Sequence, residues 1–207
     1  MELFNAIPFS YGSLGFLVSC DIAIVPYKPF IKLTYIPVMK SQDKIVETFR
    51  NAAVVENHDS VEGIAFTKED AVIMTGEFVD SCSDPKIPVN RLGRWYKPWF
   101  YTYVNDVLDG EKVVTEYMPT RDFWRRHNKS YFWMIKYGLP FVNSVLFRYT
   151  LGSTMLNMKF SIGTIIGQLI IPKKVHEFLR ERMVVQDFGF FFDNLKEALT
   201  MSDEMYD

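Results

Sequence analysis

The sequence predicts an α+β protein, and three observations carry the prediction. Runs rich in β-branched and aromatic residues occupy 14–25 and 30–38. Residues 42–54 then switch to helical spacing, and two further strand-like runs flank the polar turn Lys68-Glu69-Asp70. Strands grouped around one helix and a hairpin, without strict strand–helix alternation, are the order of an α+β lobe.

The elements follow in chain order. Residues 14–25 read as a buried strand that contains Cys20 and stops at Pro26, which cannot donate to a ladder. A second strand spans Phe30–Val38, with Ile31, Leu33 and Tyr35 on one side of the pleat. Over 42–54 a helix would place Ile45, Val46, Phe49 and Ala53 on a shared face. Residues 62–67 and Ala71–Val79 form a hairpin. Residues 80–92 are polar, broken by Pro85 and Pro88, and predict an exposed loop. Helices are expected near 98–108, 120–137, 145–151 and 172–183, with Thr120 as an N-cap and Pro172 in a first turn. Asp193 would cap a short last helix through Leu199, after which the acidic tail 202–207 would fray.

A length of 207 residues suffices for one sizeable core or two small lobes. Apolar residues make up 48% and charged residues 23%, a globular balance, while the 16% aromatic content is high. That leaves rings for a core or for a flat ligand. A net charge of −2 removes the electrostatic case for nucleic acid, which needs a basic face to displace counterions. The cluster Arg121, Arg125, Arg126, His127 and Lys129 is local, and suits a solvated helix face or an anion contact. Two cysteines, Cys20 and Cys82, build neither a disulfide framework nor a metal quartet, so a reduced protein without metal is expected. Met1-Glu-Leu-Phe lacks a basic signal-peptide start, and the apolar stretch 162–171 is interrupted by Gly163, Gly167 and Gln168. It falls short of the roughly 20 residues of a membrane helix.

Gly12 and Gly15 lie in Ser10-Tyr-Gly-Ser-Leu-Gly-Phe-Leu-Val, ahead of the first strand-like run. Lacking Cβ, they serve either a tight turn or the close approach of a flat or phosphorylated ligand. The segment from Asn5 through these glycines resembles the end of the flavin-binding domain in vanillyl-alcohol-oxidase-like flavoproteins, and among them the delta-24 sterol reductases. Further blocks point the same way: Lys32-Leu-Thr-Tyr-Ile-Pro-Val, Tyr96-Lys-Pro-Trp-Phe-Tyr, Glu116-Tyr-Met-Pro-Thr-Arg with Arg126-His127 and Phe132-Trp133, Phe147-Arg-Tyr-x-Leu-Gly, and Val184-Val-Gln-Asp. Asp122 and Arg125 stand where the resembled enzymes carry histidines, and Met134 where they carry a glutamate.

The resemblance implies the C-terminal part of such an enzyme. Residues 1–28 would close a PCMH-type FAD-binding domain and residues 29–207 would form an α+β substrate or cap domain. It implies FAD and NADPH as cofactors, a sterol substrate reduced at the carbon–carbon double bond of its alkyl tail, and association with the endoplasmic reticulum or Golgi membrane. No span is found in this sequence itself. Gly12, Ser13, Leu14 and Gly15 would be the last wall of the flavin site.

Reducing an alkene with flavin needs a hydride from the cofactor and a proton from an acid. Tyr117, with Tyr96 and Tyr101 behind it, and His127 are the candidate donors, each of which also fits a core or surface role. Arg121 and Arg126 stay protonated, so they act as fixed cations toward flavin or phosphate, or else pair with Glu116 or Asp122. His58 and His176 read as structural. Trp95, Tyr96, Trp99, Phe100, Phe123, Trp124, Phe132 and Trp133 can line an apolar slot or fill the core. Two other readings stay open: a non-catalytic module that binds sterol or a protein partner, and a flavin oxidase acting on another hydrophobic substrate.

Overall fold

A computed structural model describes residues 7, 10, 12–16, 18–56, 58–94, 96–127, 144–147 and 192–206. The expected helix over 172–183, the rest of those over 120–137 and 145–151, and Trp95, Lys129, Phe132, Trp133 and His176 lie outside these residues.

Four strands form one antiparallel sheet: β1 (Phe30–Val38), β2 (Ser60–Ala65), β3 (Ala71–Val79) and β4 (Val114–Pro119), in the order β2-β3-β1-β4. Helix α1 (Gln42–Ala53) follows β1, and α2 (Phe100–Asp109) precedes β4. The sequence of elements is that of a split βαβ arrangement, but the two helices cover opposite faces of the sheet. The mixed architecture agrees with the α+β prediction.

Alternation along β1 explains the two faces. Ile31, Leu33 and Tyr35 point one way and are fully buried with Val72, Met74 and Met118 against Phe100, Val104 and Leu108 of α2. On the reverse face Val38, Ala71 and Ile73 meet Ile45 and Ala52 of α1. Helix α1 starts where Ser41, in an extended conformation, accepts the Lys44 amide at 3.2 Å through its hydroxyl. Its inward residue near the C-terminus is Ala52 and not the expected Ala53, which is exposed.

Gly76 sits opposite Leu33 on the α2 face. A Cβ there would lie 2.6 Å from Ile31 Cδ1 and 3.2 Å from Leu33 Cδ2. Both neighbours are locked in the core, so Gly76→Ala should destabilise the domain by about 1–2 kcal/mol through overpacking, read as a lower urea midpoint with an unchanged slope.

Several expectations are corrected. Residues 18–28 form no strand; Phe16, Val18, Ile24 and Val25 are each more than 80% exposed, and Cys20 is exposed with them. A strand needs a partner edge, and the outer edge of β4 is taken instead by 88–90: Tyr117 donates its amide to Pro88 O at 2.8 Å and accepts from Asn90 N at 2.7 Å. The 80–92 segment is therefore not simply an exposed loop, because Asn90 and Leu92 are buried. Strand β4 itself was not foreseen.

Thr120 opens the short helix α3 (Thr120–Trp124) but does not cap it. Its hydroxyl donates to Lys28 O at 2.6 Å and its amide to Pro29 O at 2.9 Å, tying α3 to the entry of β1. A helical turn, α4, covers Val145–Phe147. After a 3-10 turn at Phe192–Asn194, α5 runs through Leu195–Tyr206, so the acidic tail is helical through Tyr206 instead of frayed. It rests against α1 through surface contacts such as Lys196 Nζ to Asp43 at 2.5 Å, a class of pair that adds little stability. Among the described residues no helix is long and apolar enough to cross a membrane.

Candidate functional site

Two polar clusters sit on the α2 face of the sheet, and each is built around a carboxylate. The first lies toward the outer strand β2. Glu62 pairs with Met74 in the register and so points to the α2 face. Arg126, just past α3, donates through Nη2 to Glu62 Oε2 and through Nη1 to Phe123 O at 2.7 Å. Its guanidinium lies 4.0 Å from the Phe123 ring centroid and 5.4 Å from that of Phe100, within cation–π range. His127 Nε2 stands 3.4 Å from Glu62 Oε1, and its ring meets Phe100 edge-on at 5.3 Å. Burial pushes the Glu62 carboxyl up, but the hydrogen bond from His127 and the charge and hydrogen bond of Arg126 outweigh it, leaving the group below the usual carboxylate range. Arg126 Nε is buried and has no partner among the described residues.

The second cluster is sealed. Glu116, on β4 opposite Leu33, is 3% exposed. Its Oε1 accepts from Tyr35 Oη at 2.7 Å and Asn90 Nδ2 at 3.0 Å, while Oε2 accepts from Tyr103 Oη at 2.7 Å. The two tyrosine rings cross edge-to-face at 5.8 Å. Burial first, and the Glu116 charge second, push both phenols above their ordinary range, so both remain donors. The Asn90 carbonyl oxygen is buried without a partner among the described residues.

These placements distribute the sequence-derived candidates. His127 lies in the first cluster. Arg121 is exposed on α3 and, among the described residues, pairs with neither Glu116 nor Asp122; the ion pair goes to Arg126 and its partner is Glu62. Tyr117 is 2% exposed and pairs with Lys32, which puts it on the opposite face of the sheet from Glu62 and Glu116. Its hydroxyl lies 3.4 Å from both Ser83 Oγ and Asp84 N. The three candidate catalytic residues are thus not brought together.

Gly12, Ser13, Leu14 and Gly15 form an exposed turn. Gly12 has φ +80°, a conformation that favours glycine, and the Ser13 hydroxyl donates to Ser10 O at 2.6 Å. A Cβ at either glycine would meet nothing within 4 Å, so the backbone is open to approach from outside. Of the aromatic series, Trp99, Phe100 and Phe123 are core, while Trp124 is 67% exposed and stacks on Phe78 at 5.9 Å.

Sequence reasoning missed Glu62 and the Glu116 cluster. The available signal for the latter was one: in Val114-Thr-Glu-Tyr-Met-Pro, Glu116 alternates with Met118, and a charge at an inward position demands buried partners.

The protein is similar over most of its length to sterol reductases of animals and plants. It is 44% identical over 208 residues to a Delta(24)-sterol reductase homolog of Caenorhabditis elegans, covering 97% of this chain and 37% of that protein. Identity is 41% over 200 residues to the Delta(24)-sterol reductase of Mus musculus, covering 96% and 37%. To that of Pisum sativum it is 30% over 213 residues, covering 98% and 36%. The chain therefore spans a little over one third of the length of these relatives. No protein-family profile matches it, and no solved structure does.

Proposed function

We propose, from this similarity to Delta(24)-sterol reductases, that the chain belongs to a flavin- and NADPH-dependent enzyme that reduces the carbon–carbon double bond in the alkyl tail of a sterol. The observation that carries the reading is the extent of the match: about 96% of the chain aligns with relatives of that one name from animals and plants. In this reading residues 1–28 close the FAD-binding domain and residues 29–207 are the substrate or cap domain. The whole protein, in this reading, associates with the endoplasmic reticulum or Golgi membrane.

The residues present fit one wall of a flavin site and no more. The open turn Gly12–Gly15 offers backbone without side chains in the way. Flavin, when bound, supplies the hydride. The part of this protein is to bind and orient the substrate, exclude water and hold a proton. His127 Nε2 carries that proton, Glu62 keeps a negative charge beside it, and Arg126 fixes Glu62 between the rings of Phe100 and Phe123. Tyr117, buried on the other face of the sheet, and Arg121, exposed on α3, have no part in this cluster.

A second reading, a non-catalytic module that binds sterol or a protein partner, is favoured by the apolar segment 18–27. That segment is exposed and unpaired among the described residues. Visible absorbance of the purified, folded chain after mixing with FAD separates the two. Stoichiometric flavin supports the first; its absence from a cooperatively folded protein supports the second. If flavin is retained, Gly15→Val should weaken it by about tenfold, the equivalent of about 1.4 kcal/mol of lost approach. Unchanged retention would remove the Gly12–Gly15 turn from the flavin site.

A further inference from the structure

Helix α1 covers only part of its face of the sheet. Beside it lies an open groove of about 460 Å³, within the size range of small-molecule sites. Its floor is fixed by the register, with Thr34 opposite Thr75 and Lys32 opposite Glu77, and Thr48, Asn51 and His58 complete its polar lining. A merely solvated sheet face is usually built of long charged side chains that fill such space. Here Lys32 and Glu77 stand to one side, and the short side chains of Thr34, Thr75 and Ala52 leave a hollow beside them.

The polar groups keep hydrogen-bonding capacity toward the groove. Thr34 and Thr115 share a hydrogen bond of 3.1 Å between hydroxyls, which uses one hydrogen and leaves the other to donate. Thr75 is 8% exposed, and its hydroxyl has no partner among the described residues. His58 Nδ1 lies 3.0 Å from Ala52 O. A carbonyl only accepts, so the hydrogen sits on Nδ1 and the Nε2 lone pair of the neutral ring is left over. The groove thus offers hydroxyl and ammonium donors and imidazole and carboxylate acceptors, while Ile36, Ala52 and Val55 supply an apolar wall. Donors and acceptors side by side match a group that both donates and accepts. The apolar wall matches a hydrocarbon body attached to it.

We infer that this groove binds the hydroxyl end of an amphipathic alcohol, with its hydrocarbon body along Ile36, Ala52 and Val55. The site is on the opposite face of the sheet from the Glu62–Arg126–His127 cluster. Only the choice of a sterol as the alcohol rests on the function proposed above.

The test is a titration of the full chain with cholesterol delivered from cyclodextrin, followed by methyl NMR signals of Thr34, Thr75, Ile36 and Val55. The 3-methyl ether of cholesterol, which keeps the body and loses the donor, is the control. Saturable shifts at these methyls are expected with cholesterol, and binding weaker by about five- to tenfold with the ether, with Thr75→Val and with Thr34→Val, the size of one lost hydrogen bond. Valine is isosteric and favourable in strands, so the variants should fold. Equal binding of the ether, or unchanged affinity in both folded variants, overturns the inference. So does an absence of any shift at these methyls. Shifts confined to residues near Phe100 and His127 would overturn the groove while leaving the sterol reading intact, whereas sterol reduction by the complete enzyme tests that reading separately.

Discussion

Glu116→Ala should cost the domain about 3–5 kcal/mol, the largest effect expected of any single substitution among the described residues. The carboxyl accepts from Tyr35, Tyr103 and Asn90 at once in a site 3% exposed. Removing it strands two phenols and an amide and opens a hole between β1, β4 and α2. Equilibrium urea unfolding at neutral pH measures the loss. Tyr35→Phe and Tyr103→Phe, which each delete one donor and leave the carboxyl other partners, should cost about 1–2 kcal/mol apiece. The combination Glu116→Leu, Tyr35→Phe and Tyr103→Phe should be less damaging than the sum of its parts, because no phenol is left unpaired. A loss below about 1 kcal/mol for Glu116→Ala would show that water reaches the stranded donors, and would deny the cluster its structural role.

That residue also explains what could be read in advance and what could not. Phe30–Val38 and Ala71–Val79 were legible because strict alternation with turn residues at the ends is a local signal. Strand β4 was not, since Glu116 occupies an inward position and breaks its apolar pattern. The charge that hid the strand is the centre of the buried network. Residues 14–25 failed in the opposite sense: their composition suits a strand, yet pairing is a property of the sheet, and residues 88–90 hold the β4 edge. His127 was singled out from its neighbours in the sequence. Its partner Glu62 lies on β2, and only the register of β2 with β3 and the path of the backbone through α3 bring the two together. Nothing in residue spacing encodes that meeting. The glycine turn was legible as a turn, because a positive φ at Gly12 is a local demand that glycine meets.

Glu62→Gln should destabilise the domain by about 2–3 kcal/mol at pH 7, and the deficit should depend on pH in a defined direction. The substitution keeps the shape but leaves Arg126, with a side chain only 12% exposed, without its counter-charge. Burial raises the Glu62 carboxyl, while His127 and Arg126 lower it further, so the folded-state pKa lies below the unfolded one. Such a group adds stability that is complete above the unfolded value of about 4.3 and is lost as pH falls through the lowered folded value. The gap between wild type and Glu62→Gln should therefore be constant from about pH 7 to pH 5 and close progressively below about pH 4. Parallel urea titrations of both proteins between pH 3 and pH 7 measure it. A gap that persists unchanged at pH 3 would mean that glutamine fails through packing and that the carboxylate charge does not hold Arg126. Closure of the gap would tie the geometry around His127 to an ionised Glu62, the state in which the imidazole has a negative partner to hold its proton.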